Sequence, residues 1–386
     1  LVLDPAMPLA LSRFRMLDLS RQLPGPFCSM LLADLGMDVV TIYSPTDPMG
    51  MGVPLLGRNK RSLTLNLKQP EAREIFHRLA KDADVVLEGG RPGGAAKLGV
   101  DYETLAKLNE RIVYCSISGY GQDGPYRNRV GHDVNYLGFA GVIGTTGVAG
   151  VAPAIPGVQI ADIGGGALMA AVGILTALLA REATGKGQFV DIGMMDGSVA
   201  WQVINTFNFL SQGAQPSWGE ALLTGRHPCY ALYETKDGRW VTVGALEPHF
   251  WGNLCNRLGM PDLIGEQFSE GEKRDAMFRR VRAKFKEKTQ AEWVAELADL
   301  DICFGPVATL SEALDDPHVK HRQMVVEQDD GRGNRRRTLG NPVKLSDTPP
   351  TLRTPPPSLG EHTDAVLAGL GYSKADVARL RERGIV

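Results

Sequence analysis

Residues 15 to 42, RMLDLSRQLPGPFCSMLLADLGMDVVTI, constrain the fold of this chain more than any other stretch. A short apolar run breaks at Leu-Pro-Gly-Pro, an apolar-periodic segment follows as far as Gly36, and a second apolar run closes the stretch. A switch from strand period to helix period and back predicts a β-α-β unit. The loop reads LPGP and not G-x-G-x-x-G, so no glycine-lined helix start is offered to a dinucleotide pyrophosphate.

The alternation continues. RSLTLNLK has period two, PEAREIFHRLAKDA reads as a helix with proline at its start, and DVVLEGG and RIVYCSISGYG read as strands. Strands alternating with helices predict an α/β fold, here a Rossmann-like large domain with a parallel sheet over residues 1–224. From about Gly225 the composition changes. YALYETKDGRWVTVGAL predicts two strands joined by a Lys-Asp-Gly turn, and the charged segments after it predict helices, together a smaller α+β domain over 225–325. Residues 326–386 hold a polar hairpin-like segment and a proline-rich tail that is expected to be extended and to return to the large domain.

Composition narrows the function. A formal net charge of -2 argues against non-specific nucleic-acid binding, which would need a dominant basic face. The five cysteines, Cys28, Cys115, Cys229, Cys255 and Cys303, form no metal-like spacing and read as reduced thiols of a cytoplasmic protein. The first fifteen residues, with an early aspartate and two prolines, do not read as a secretory signal. The uncharged run Ile163 to Ala180 approaches the ~20 residues of a membrane span, yet its glycines and alanines favour a buried helix. His318 and His321 lack the glutamate of H-E-x-x-H, and no metal site is expected.

Three residues stand out for chemistry. His132, in GHDVNYLGFAG, is of the residue type whose reference pKa suits proton transfer near neutral pH, although a lone histidine at a turn is more often structural. Its neighbour Asp133 reads as a turn or N-cap residue. Asp162 opens the apolar helix DIGGGALMAAVGILTALLARE and alone reads as an N-cap. Gly164, Gly165 and Gly166 are a poor choice for a helix start and imply a close approach to the backbone, where free N–H groups would suit an oxyanion. Glu247 lies at a strand end before a proline. Arg58, Lys60 and Arg61, with Lys68, Arg91 and Lys97, gather positive charge that is either solvated or suited to a phosphate-rich ligand. Met194 and Met195 read either as an adaptable acyl wall or as core.

Together LDLSRQLPGPFCSMLLADLGMDVV, GRNKRSLTLNLK, RPGGAAKLGVDYETL, ISGYGQDGPY, GKGQFVDIGMMDG and PPPSLGEHTDAVLAGLGYS resemble the family III CoA-transferases, from about residue 8 to the C-terminus. GHDVNYLGFAG, ADIGGGAL and GALEPHFW are similar to the α-methylacyl-CoA racemase branch, with His132, Asp162 and Glu247 at its catalytic positions.

That resemblance implies interconversion of (R)- and (S)-2-methylacyl-CoA thioesters through an enolate. His132, oriented by Glu247, would serve one face and Asp162 the other, with no cofactor beyond the CoA of the substrate. It also implies an interlocked homodimer whose site lies between the large domain of one chain and the small domain of its partner. CoA contacts are implied at Leu65, Asn66, Leu67, Lys68, Gly89, Gly90, Arg91 and Lys97, and at Gly131, Asp133, Val134, Asn135 and Tyr136. Two positions depart from the family pattern: Ser44 stands where a basic residue is common, and Gly90 where an aromatic is. A transferase moving CoA between carboxylic acids through Asp162 is the alternative, and a CoA-ester-binding protein without catalysis is a third class.

Overall fold

Strand β1 (Arg15–Asp18) runs into the proline loop, and α1 (Pro24–Asp34) starts on that proline, whose missing N–H is no loss in a first turn. Gly36, at φ +111°, then lets the chain reverse into β2 (Asp38–Tyr43). β3 (Lys60–Thr64), α2 (Pro70–Lys81), β4 (Val85–Glu88) and β5 (Val113–Ser118) continue the winding. Next come α3 (Asp133–Phe139), a π-helical segment (Ile160–Leu168), α4 (Met169–Thr184), β6 (Phe189–Gly193) and α5 (Met194–Ala200). In this computed structural model, which describes residues 8–46, 53–213, 215–330 and 333–386, the six strands form one parallel sheet in the order β3-β2-β1-β4-β5-β6. That is the doubly wound order of Rossmann-like folds.

Burial follows pattern. β4 and β5 are buried at every residue, as strands covered on both faces must be. α2 buries Ala72, Ile75, Phe76 and Ala80 at helical spacing, with Glu71 in its first turn and Arg78 and Lys81 in its last, where the helix dipole favours them. The tail helices Thr363–Gly369 and Lys374–Glu382 add Val366, Leu367, Val377 and Leu380 to the same core, joined by Ile385 and Val386.

The chain divides into two units. One comprises the chain up to Ala140, Val158–Trp201 and Pro317–Val386, and the other Gly141–Gly157 and Gln202–Asp316. These limits differ from the 224/225 and 325/326 expected from composition. The composition shift at Gly225 marks the approach to the strand Tyr230–Glu234 of the second unit, whereas the chain has already left the first after Trp201. Gly147–Val148 and Ala152–Pro153 form a short ladder that belongs to the second unit and packs its Ala149 against Gly219. The second unit is an antiparallel sheet of Tyr230–Glu234, Trp240–Gly244 and Phe304–Pro306, with the expected turn at Gly238 (φ +75°), packed on helices by Tyr233, Trp251, Phe285 and Trp293. The hairpin Val325–Asp329/Arg335–Leu339 forms as expected, and its turn residues 331–332 lie outside the described residues, as do residues 1–7 of the N-terminal stretch.

The GRNKRS cations are paired with carboxylates of their own unit, and Arg58 and Lys60 are buried, so neither expectation, solvation or a phosphate-rich ligand, describes these two. Asp34, at the end of α1, receives Arg58 Nη2 at 2.7 Å, Arg58 Nε at 3.0 Å, Asn59 Nδ2 at 2.8 Å and Asn341 Nδ2 at 3.2 Å. Arg58 Nη1 donates to Leu339 O at 2.5 Å. Asn59 sits at φ +60°, a conformation asparagine tolerates, and its amide is fully used: Nδ2 also donates to Thr351 O, while Oδ1 accepts from Arg353 N and Thr354 N. The proline-rich tail is thereby tied back to its own unit. Lys60 Nζ, buried, donates to Ser29 Oγ at 2.7 Å and Pro26 O at 2.9 Å. Burial lowers its proton affinity while the charge of Asp18 opposes that. Arg61 chelates Asp38. All five cysteines are free, and burial pushes the Cys28 thiol far up.

Ile160–Thr184 is long and apolar enough to cross a membrane, the one such helix among the described residues. Its α4 part instead lays Ala170, Ile174, Ala177, Leu178 and Arg181 into the protein and leaves Val172, Leu175 and Leu179 exposed.

Candidate active site

Parallel strands point their carboxyl ends to one edge of the sheet, where open α/β folds hold ligands. Leu65–Lys68 follow β3, Gly89–Arg91 follow β4, and the segment leading to His132 follows β5. Leu65 itself is buried, and Asn66 is held by the chain end: its N–H donates to Ile385 O at 2.8 Å and its Nδ2 to Gly384 O at 3.3 Å. Lys68, Arg91 and Lys97 are exposed, and their side chains have no hydrogen-bond or ion-pair partner among the described residues.

The β4 turn is fixed by a carboxylate that sequence reasoning did not single out. Glu88 Oε2 accepts from Gly90 N at 2.6 Å, Oε1 accepts from Ser116 Oγ, and Gln122 Nε2 donates to Ser116 Oγ at 2.8 Å. Burial raises the proton affinity of Glu88, and those bonds oppose it. The only sequence signal was an acidic residue at the end of an apolar strand. A Cβ on Gly90 would stand 3.0 Å from Glu88 Oε2, so the aromatic common in the family requires this carboxylate to give way. At the other departure, Ser44 Oγ lies 3.3 Å from Thr46 Oγ1.

The structure brings His132 and Asp162 together. His132 is exposed and is the N-cap of α3, its backbone N–H bonded to Asn135 Oδ1 at 3.0 Å. Asp133 is therefore the first helical residue and not the cap. Its Oδ1 accepts from Ala161 N at 2.7 Å and from Asp162 N at 3.0 Å, which pins the start of the π-helical segment beside α3. Asp162 is the third residue of that segment, whose N-cap is Gln159, and its carboxylate has no hydrogen-bond or ion-pair partner among the described residues. Burial and then the charge of Asp133 raise its pKa to about 6, with His132 opposing. Tyr136, buried on α3, feels the charge of Asp162. Its hydroxyl donates to Gly131 O, and burial followed by the charge of Asp162 pushes it up to about 12.

The three glycines act differently from expectation. A Cβ on Gly165 would lie 2.5 Å from Met194 O and 3.1 Å from Ser198 N, and one on Gly166 2.9 Å from Met194 Cγ. Their missing side chains admit α5, not a ligand. The first donors of the segment are also taken, by Asp133 and, for Ile163 N, by Gln159 O at 2.9 Å, so these N–H groups are not open to an oxyanion. Met194, buried on Gly166, is core. π-helical turns are rare and recur at functional sites.

Glu247 belongs to the second unit. It caps the helix Pro248–Arg257 with an extended backbone, accepts Trp251 N at its carbonyl (3.1 Å), and leaves its side chain exposed. That unit also holds a cavity of about 1370 Å³ on the open face of its sheet, lined by Leu232, Trp240, Thr242 and Phe278 among others and by none of His132, Asp162 and Glu247. Two of its lining cations are matched internally, Arg226 to Glu270 at 2.8 Å and Lys286 to Glu234 at 2.7 Å.

Comparison with known proteins agrees with this geometry. The sequence matches CoA-transferase family III over residues 11–363. It is 36% identical to α-methylacyl-CoA racemase of Homo sapiens, over 98% of each chain. It is also 31% identical to succinyl-CoA:glutarate CoA-transferase of Mus musculus, over 96% of this chain and 89% of the relative. A CAIB/BAIF family protein from Brucella suis superposes with a TM-score of 0.80 at 30% identity, covering 94% of this chain and all of that one. With the fold, the carboxyl-edge loops and the sequence in agreement, the chain belongs to the family III CoA-transferases.

Proposed function

We propose that the protein is an α-methylacyl-CoA racemase acting on 2-methyl-branched acyl-CoA thioesters. The observation that carries this reading is the pairing of His132 with an Asp162 whose pKa is raised to about 6. Racemisation needs two acid/base groups that can each give and take a proton near neutrality, and transfer is most efficient when pKa lies near the working pH. An aspartate of ordinary acidity would be a poor acid there.

One group removes the α-proton, the electron pair moves into the thioester as an enolate, and the other group returns a proton to the opposite face. The N–H groups of Asp133 and Val134, at the start of α3 beside His132, are the donors available to the enolate oxygen, since those at the π-helical start are engaged. Lys68, Arg91 and Lys97, exposed at the carboxyl edge, would meet the CoA phosphates.

We propose further that Glu247 orients His132 from the partner chain of a homodimer. Apolar surface supports association: Val172, Leu175 and Leu179 on α4, and Val203, Ile204, Phe207 and Leu210 on the helix Val203–Gln212, are all exposed within a single chain.

The test is incubation with (S)-2-methylacyl-CoA in D2O without an acceptor acid. Deuterium enters the α-position, the S/R ratio moves toward a mixture, and Asp162→Asn and His132→Ala each lower exchange by about 10²- to 10⁴-fold, the usual contribution of one acid/base group. The absence of exchange, together with CoA transfer once a free acid is supplied, would move the protein to the transferase reading, with Asp162 as nucleophile.

A further inference from the structure

We infer that Asp133 is a positioning residue for the reacting carboxylate: one of its oxygens holds the backbone that presents Asp162, and its charge faces that carboxylate. This rests on the reading that Asp162 reacts.

The geometry is unusual for a helix-start aspartate. A residue at this position ordinarily serves its own helix, yet Oδ1 of Asp133 accepts two N–H groups 28 and 29 positions downstream, Ala161 N at 2.7 Å and Asp162 N at 3.0 Å. Asp133 directly follows His132, so one dipeptide carries the candidate base and the clamp on its counterpart. Both N–H groups belong to the first turn of a helix, where no intrahelical acceptor exists. A neutral acceptor would satisfy them equally well. What a carboxylate adds is charge.

Three titratable groups face Asp162. Asp133 raises its proton affinity, His132 lowers it, and the Tyr136 phenol, itself pushed up to about 12, stays neutral throughout the working range. Asp133 thus has two separable functions. Its oxygen sets where Asp162 stands, and its charge, added to burial, keeps a proton on Asp162 up to near-neutral pH.

Asp133→Asn separates them, because the amide oxygen can accept the same two bonds without the charge, whereas Asp133→Ala removes both. The side-chain carboxyl ¹³C resonances of the whole protein are titrated without substrate, and that of Asp162 is identified by its loss in Asp162→Asn. The wild-type midpoint is expected near 6 and should fall toward the ordinary aspartate range in Asp133→Asn. The acid limb of the exchange-pH profile should fall with it, and maximal exchange should fall less than in Asp133→Ala. Asp133→Ala should lower maximal exchange at least tenfold further. An unmoved midpoint in Asp133→Asn would overturn the electrostatic role, and equal exchange maxima in the two variants would overturn the positional one. A merely structural aspartate would lower the melting temperature in both variants and leave the midpoint where it was. The midpoint is read without turnover, so wild-type protein that exchanges no α-proton sinks the racemase reading while the titration still decides on Asp133.

Discussion

Asp34 and Asp162 are both carboxylates at helix ends of the same unit, and they have opposite surroundings. Asp34 is closed off, with donors from Arg58, Asn59 and Asn341 on its two oxygens and 0% of its side chain exposed. Asp162 is half-buried and its oxygens meet no donor among the described residues. Buried polar groups are ordinarily hydrogen-bonded, so a network with every atom matched is a structural device, and a shielded carboxylate left unmatched is a candidate for chemistry. Both segments look functional in sequence, GRNKRS for its charge and ADIGGG for its glycines. Satisfaction of the polar atoms separates them.

The strongest way to break this comparison is to remove each carboxylate in turn. Asp34→Ala leaves the Arg58 guanidinium, 1% exposed, buried without its counter-ion, and truncating one partner of a buried pair costs about 3–5 kcal/mol. Asp162→Asn removes a charge that has no partner to lose and is expected to change stability by under ~1 kcal/mol. Urea unfolding of the two variants measures both, and equal losses would erase the distinction.

Much of the fold was legible because it is written in local periods. The β-α-β winding, the Lys-Asp-Gly turn and the amphipathic α2 all follow from residues within a turn or two of one another. The Asp34 network was not legible, since its members at 34, 58–59, 339–341 and 351–354 meet only after the tail has folded back. For the same reason Arg58, Lys60 and Arg61 read as either solvated or suited to a phosphate-rich ligand, their acidic partners lying 23 to 42 positions upstream. His132 and Asp162 stood out as residue types, but their expected catalytic roles came from family resemblance and not from spacing. Asp133 read as a turn or N-cap residue because its partners, at 161 and 162, lie a whole loop away. The limits of the units were missed because a chain can leave one body before its composition changes.

A second test adds a methyl group at the floor of the Asp162 segment. Gly165→Ala puts a Cβ where the backbone oxygen of Met194 stands 2.5 Å away, so the segment or α5 must shift. Overpacking of this kind costs about 1–3 kcal/mol. Because the Asp162 segment packs directly on α5, a shift of either disturbs the seat of Asp162, and α-proton exchange should fall together with the urea midpoint. A variant with normal exchange would mean that Asp162 is held by Asp133 alone.

The pH dependence of stability gives a smaller signal of defined sign. The folded pKa of Asp162, about 6, lies above the ordinary aspartate value of 3.8, so its contribution to stability is full below the ordinary value and is lost as pH rises through about 6. Wild type should therefore gain on Asp162→Asn as pH falls from 7 to 4. The shift corresponds to roughly 3 kcal/mol, which partial solvent access reduces to about 1–2 kcal/mol. Parallel stability-pH curves for the two proteins would mean that Asp162 titrates as an ordinary surface carboxylate, removing the basis for its role as an acid near neutrality.

The smallest effect comes from the same chemical change on the opposite wall. Gly138 is within α3, its φ is not positive, and a Cβ there would meet nothing within 4 Å. Gly138→Ala adds no clash and reduces the freedom of the unfolded chain, which is expected to stabilise by about 0.4–1 kcal/mol, read as a small rise in the urea midpoint. Set beside Gly165→Ala, it compares a helix that carries His132 on an open flank with a segment that carries Asp162 under tight packing. A loss of stability at Gly138 would mean that this flank is covered in the assembled protein, as it would be if a partner chain lies against α3, and the same variant would then shift the monomer-dimer equilibrium toward monomer.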